Sequence, residues 1–302
     1  MPQASQQYHA NGKLLLSGEY FILDGAIGLA LPTKLGQTLT VSPSKENGIK
    51  WQSLDVENKC WFEAIFNEQL EIISTVNNDT AKILQTILLH CKCITYRTQL
   101  TTKLEFPNNW GLGSSSTLIS LLAQWTNTNP YELLEKSFGG SGYDIACATS
   151  EQAITYQINT KERLPIVEAV DYQPPFSHQL YFVHLNQKQN SRDGIMNYKN
   201  LVVDKPSIIE QLNELTYKMI KAINLYEFCH YMEVHENIIS QFMQLPKVKD
   251  LLFSDFTGSI KSLGAWGGDF VLAADDETPE AIQQYFQSKG YFTCIPYNEM
   301  IK

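Results

Sequence analysis

The chain has 302 residues, 43% apolar and 11% aromatic, enough to bury a sizeable core in one large domain or two lobes of ordinary size. Thirty-two acidic against 23 basic residues leave a net charge of −9 with no Lys/Arg cluster, which excludes nucleic acid and other polyanions as partners. A small anion remains admissible, because backbone amides and one or two lysines act at short range. The first residues, MPQASQQYHANGK, carry no basic and then apolar leader, and no later segment approaches about eighteen apolar residues without charge. A cytoplasmic protein with no membrane association is expected. Six cysteines, Cys60, Cys91, Cys93, Cys147, Cys229 and Cys294, include no CxxC pair, so no disulfide framework is expected. His90 beside Cys91 and Cys93 fits no zinc spacing, and His230 and His235, five apart, do not share a helical face.

In chain order, residues 13–16, 29–31 and 37–42 read as strands broken by turn signals at Gly25 and Pro32, and 48–54 with 60–66 as a hairpin. Residues 80–91 carry a helical stripe of Ile83, Leu84, Ile87 and Leu88; 96–106 alternate as a strand running into Pro107. Then comes NNWGLGSSST, residues 108–117, followed by a helix over 117–125 that is apolar on most of its surface. Strand, Gly/Ser loop and buried helix in that order suit an anion. Glycines admit close backbone approach, serines add donors, and the helix dipole favours negative charge, although a plain surface turn with a Ser N-cap has the same composition. The loop is neither a Walker A nor a GxGxxG motif. Two more glycine-rich stretches follow: SFGGSGYDIACAT, residues 137–149, holds one acid, Asp144, and SLGAWGGDFVLAA, residues 262–274, feeds a strand. After a Pro-containing connection, 180–185 reads as a strand, NQKQNSRDGIMNYKN as a polar loop, and 208–226 and 231–245 as helices.

Three of these stretches resemble, in the same order, the motifs of the GHMP superfamily of galactokinase, homoserine kinase, mevalonate kinase and phosphomevalonate kinase. NGKLLLSGEYFILDGAIGLALPT is similar to the opening motif, PNNWGLGSSST to Pro-x-x-x-Gly-Leu-Gly-Ser-Ser, and LGAWGGDFVLA to Gly-Ala-x-Gly-Gly. GGSGYDIACA resembles the stretch in which mevalonate and phosphomevalonate kinases place their catalytic aspartate, GYDIA labels a bacterial subgroup, and the GGD of 267–269 leans towards phosphomevalonate kinases.

The resemblance implies an α+β, two-lobed GHMP kinase fold, with an N-terminal ATP-binding lobe of the ribosomal protein S5 type over 1–170 and a ferredoxin-like C-terminal lobe over 171–302. It implies γ-phosphoryl transfer from ATP, with Mg2+, to mevalonate or phosphomevalonate. The alternatives are a sugar or homoserine kinase, a diphosphomevalonate decarboxylase, or a silent relative that only binds a small molecule. Asp144 would be the base and Lys13 would stabilise the acceptor oxygen. Gly111, Leu112, Gly113, Ser114, Ser115 and Ser116 would cradle the phosphates, with Ser115 toward Mg2+. A further Mg2+ carboxylate is open between Glu132, Glu135 and none, both glutamates also reading as a solvated helix face. Glu19, Tyr20, Gly267 and Gly268 would contact substrate, and Asp269 would orient nearby backbone. Trp110 and Trp266 either narrow a pocket or bury a large ring. In relatives the polar loop faces the acceptor, which brings in Gln189, Ser191 and Arg192. A monomer or homodimer is expected.

Overall fold

The computed structural model describes residues 4–162, 164–188, 191–200, 204–264, 266 and 268–302. The chain forms two compact units, each discontinuous in sequence: the first takes 1–12, 35–108 and 112–149, the second 13–34, 109–111 and 150–302. The units exchange segments of chain, whereas the lobes expected from the resemblance, 1–170 and 171–302, would each be continuous.

Two long strands serve both units. Strand β1 (Gln6–Leu15) pairs with β2 (Gly28–Pro43), whose residues 28–34 belong to the second unit and 35–43 to the first. Pro32 was expected to break this strand and does not. It falls between residues 28–30, paired with one neighbour, and 37–43, paired with another, so neither ladder loses a hydrogen bond to the missing N–H.

In the first unit, β3 (Ile49–Leu54), β4 (Cys60–Phe66) and β5 (Ile72–Thr75) join β6 (Thr98–Leu104) and the end of β2 in the order β5-β4-β3-β6-β2. The expected hairpin is β3–β4, antiparallel with Trp51 opposite Ala64. Helices α1 (Asn78–Leu89), α2 (Ser114–Thr126), α3 (Pro130–Ser137) and α4 (Tyr143–Ala148) complete it. Trp51, Phe62, Phe66, Leu84, Leu100 and Leu121 lie in one core cluster, which includes the apolar faces of α1 and α2.

In the second unit, β7 (Ile154–Asn159) pairs with residues 28–30 and with β8 (Leu164–Ala169). A separate antiparallel sheet, built from β9 (Leu180–His184), β10 (Ser259–Ser262), β11 (Phe270–Ala274) and β12 (Cys294–Pro296), runs β10-β11-β9-β12. The helices are α5 (Ser191–Lys199), α6 (Lys205–Lys221), α7 (Leu225–Met243), α8 (Val248–Leu252), α9 (Pro279–Ser288) and α10 (Tyr297–Met300). Two expectations are corrected here. The stretch read as a polar loop contains α5, anchored by Ile195 and Tyr198 three residues apart in an apolar cluster with Phe21 and Leu212. The break between the long helices comes earlier than 226–231, at Ala222–Asn224, because the Asn224 side chain caps α7 by accepting the Glu227 N–H at 2.9 Å.

Candidate functional site

The glycine-rich loop after β6 is divided between the units, 109–111 in the second and 112–116 in the first. In the first unit, Leu112 is fully buried, so it offers only backbone to a ligand. Gly113, with φ 90, is the N-cap of α2 and has no side chain to satisfy the amides of the first turn. The first helical bond runs from the Thr117 N–H to the Gly113 carbonyl at 2.9 Å, which leaves the preceding amides without intrahelical partners at the positive end of the dipole. The three serines of this turn differ. Ser115 is exposed; Ser114 donates to Asn108 Oδ1 at 3.3 Å; Ser116 is buried and turned back, donating to the Gly113 carbonyl at 2.8 Å. A phosphate cradle here is therefore mostly backbone, with Ser115 as the outward hydroxyl.

Asp144 stands half-buried in the first turn of α4, after Gly142 with φ 87, and its Oδ1 accepts the Ile145 N–H at 3.1 Å. Burial pushes the Tyr131 phenol up, and the Asp144 charge pushes it further, so the two side chains share one environment. Glu132 and Glu135 are both exposed on α3, the solvated face weighed above. No cluster of three or more His, Cys, Asp or Glu suited to a metal occurs among the described residues.

In the second unit the structure brings Lys13 to the loop: half-buried in β1, it donates from Nζ to the Gly111 carbonyl at 2.9 Å. Gly111, with φ 65, packs against the Asp269 carboxylate so closely that a Cβ would collide with it. Asp269 itself has φ 53, and its amide donates to the Gln187 carbonyl at 2.9 Å. Sequence reasoning passed over His184, buried at the end of β9. Its Nδ1 accepts the Asn186 N–H at 3.3 Å, which leaves Nε2–H to donate to the Asn109 carbonyl at 3.2 Å. Trp110, half-buried, sits edge-on to Phe270 at 5.4 Å and beside His184 at 6.0 Å. Lys13, Asp269 and His184 thus hold the segment 109–111 from three directions.

Glu19, expected from the resemblance to contact substrate, lies wholly inside the second unit. Its carboxylate is completely buried and paired with Lys261, with His235 Nε2 3.4 Å from Oε2. Burial raises its pKa, against which the Lys261 charge acts. Glu236 lies in the same cluster, pushed up to about 7 by burial, and burial drives the neighbouring His235 well below its ordinary value. Tyr20 is also buried, its hydroxyl accepting the Trp266 N–H at 3.2 Å. Trp266 fills an apolar cluster with Phe21 and Leu212, so its ring serves packing. Gly268 is buried; Gly267 and Gln189 lie outside the described residues, as do the side chains of Ser191 and Arg192. Lys261 carried one overlooked signal: a lysine between Ile260 and Ser262, directly ahead of a glycine-rich turn.

No family model matches the sequence, and no curated protein matches it at a significant level. Solved structures do. Streptococcus pneumoniae phosphomevalonate kinase, in complex with phosphomevalonate and AMPPNP, superposes with a TM-score of 0.72 at 15% identity, over 96% of this chain and 98% of that one. L. major mevalonate kinase in complex with R-mevalonate gives 0.68 at 14% identity, over 96% and 95%. A D-glycero-D-manno-heptose 1-phosphate kinase from Bacteroides thetaiotaomicron gives 0.69 at 14% identity, over 97% and 95%. Two compact α+β units matching these structures over nearly their whole length give the chain the fold of the GHMP kinases.

Proposed function

We propose that the protein is an ATP-dependent kinase that transfers the γ-phosphoryl group to a small hydroxylated or phosphorylated acid, mevalonate or phosphomevalonate. The observation that carries this reading is the start of α2, where a glycine N-cap leaves the first-turn amides uncapped and Ser115 is exposed. In the proposed mechanism, loop and helix amides with Ser115 bind the triphosphate. The acceptor oxygen attacks the γ-phosphorus and ADP leaves; where the acceptor is a hydroxyl, its proton passes to the Asp144 carboxylate. Lys13 opposes the negative charge that develops on the reacting oxygens.

The residues present fit a Mg2+ carried mainly by the nucleotide, because an exposed hydroxyl at a helix start suits an ion that keeps several waters and takes few protein ligands. Ser115 would hold it, and the ion would neutralise phosphate charge. The choice of acceptor rests on the likeness of residues 139–148 to the mevalonate and phosphomevalonate kinases.

The test is ADP release with Mg·ATP against mevalonate, phosphomevalonate, diphosphomevalonate, homoserine, galactose and a heptose phosphate. Asp144→Asn is expected to lower kcat by about three orders of magnitude while nucleotide affinity stays within about twofold, as measured by calorimetry. Loss of ATP binding in that variant would contradict the base assignment, and ATP binding without turnover on any acceptor would favour the silent relative.

A further inference from the structure

Four ionisable side chains, Glu19, His235, Glu236 and Lys261, are buried together in the second unit, and the mechanism proposed above uses none of them. An apolar set of the same volume would serve stability as well or better, so a buried charged cluster calls for another role. Its geometry is directional. Lys261, on β10, gives its ammonium to Glu19 Oε1 and to the Ser262 carbonyl at 3.0 Å, and lies 3.8 Å from Glu236 Oε2. Glu236, on α7, takes the Ser262 N–H at 3.0 Å, and its neighbour His235 takes the Gly18 N–H at 3.1 Å. Strand β10 and helix α7 therefore grip the two residues that precede Tyr20.

Tyr20 occupies φ 60, a backbone region that a tyrosine does not choose unaided. There its hydroxyl meets the Trp266 N–H, its ring stacks on Tyr198 at 6.1 Å, and Gly194 approaches so closely that a Cβ would strike the ring. One turn thus ties together β10, α5 and the third glycine motif.

We propose that Lys261 is a positioning residue: through the Glu19 carboxylate it holds the Gly18–Tyr20 turn so that the Tyr20 hydroxyl reaches the Trp266 amide, and so anchors the third glycine motif. It rests on the kinase reading only in giving that motif to the acceptor; the anchoring itself needs no turnover. The experiment labels the five tryptophans with 15N, assigns Trp266 through Trp266→Phe, and follows amide exchange with Trp51, in the middle of β3, as the internal control. In Tyr20→Phe, in Lys261→Met and in the charge-balanced Glu19→Gln/Lys261→Met, exchange at Trp266 is expected to quicken at least about tenfold while Trp51 keeps its wild-type rate. The double variant secures the measurement if Lys261→Met alone does not fold. Wild-type protection of Trp266 in the double variant would overturn the proposal, as would equal quickening at Trp51, which marks general loosening.

Discussion

Gly111 meets two demands that no other residue type can meet together: a φ of 65 and room for the Asp269 carboxylate. Gly111→Ala is expected to cost about 2 kcal/mol of stability in urea titrations, more than a φ penalty alone, and to weaken nucleotide binding, because the Lys13 anchor on the 111 carbonyl shifts with it. The glycine-rich loop itself was legible in the sequence through its likeness to the family motif, since its composition alone fits a plain surface turn equally well. Glu19 was not. A glutamate in a glycine turn looks the same whether it faces a ligand or a buried lysine, and what decides its role lies 242 positions away.

Among the elements, the α2 start was placed to within three residues because its apolar run is dense, whereas α5 was missed because, among its described side chains, only Ile195 and Tyr198 pack into the apolar cluster. Short β5 escaped for the same reason: an edge strand with two half-buried residues leaves almost no alternation to detect. Helix α7 carries its own chemistry. Burial lifts Glu236 from 4.5 to about 7, so between those values the folded state keeps a proton that the unfolded chain has released. Stability therefore falls as pH rises through that window, by up to about 3 kcal/mol, with Glu19 acting in the same direction. Glu236→Gln is expected to flatten this slope, read as urea midpoints taken at intervals from about pH 5 to pH 8. An unchanged slope would place the titration elsewhere.

At the scale of the molecule, residues 13–34 belong to a unit whose remainder is the short segment 109–111 and residues 150–302. Their partners lie late in the chain: Ser17 meets Thr216, the Ile27 N–H meets Asn213, and Glu19 meets Lys261. A fragment of residues 1–170 keeps the first unit's segments but leaves Ser17, Glu19 and Ile27 without these partners. It is expected to give a poorly dispersed 1H–15N spectrum and no cooperative thermal transition, even though its own apolar cluster is complete. Composition left one domain or two lobes open and the motif resemblance pointed to a two-lobed fold, but neither showed the exchange of segments, because contact partners far apart in sequence leave no local pattern. The same separation bears on biosynthesis. At roughly 5–20 residues per second, the ribosome delivers Lys261 about 12 to 50 seconds after Glu19, so the opening turn spends that interval with an acid that has no counter-ion and an apolar stretch that has no cover. Yield in a producing cell should therefore follow chaperone supply during elongation more closely than the stability of the finished protein.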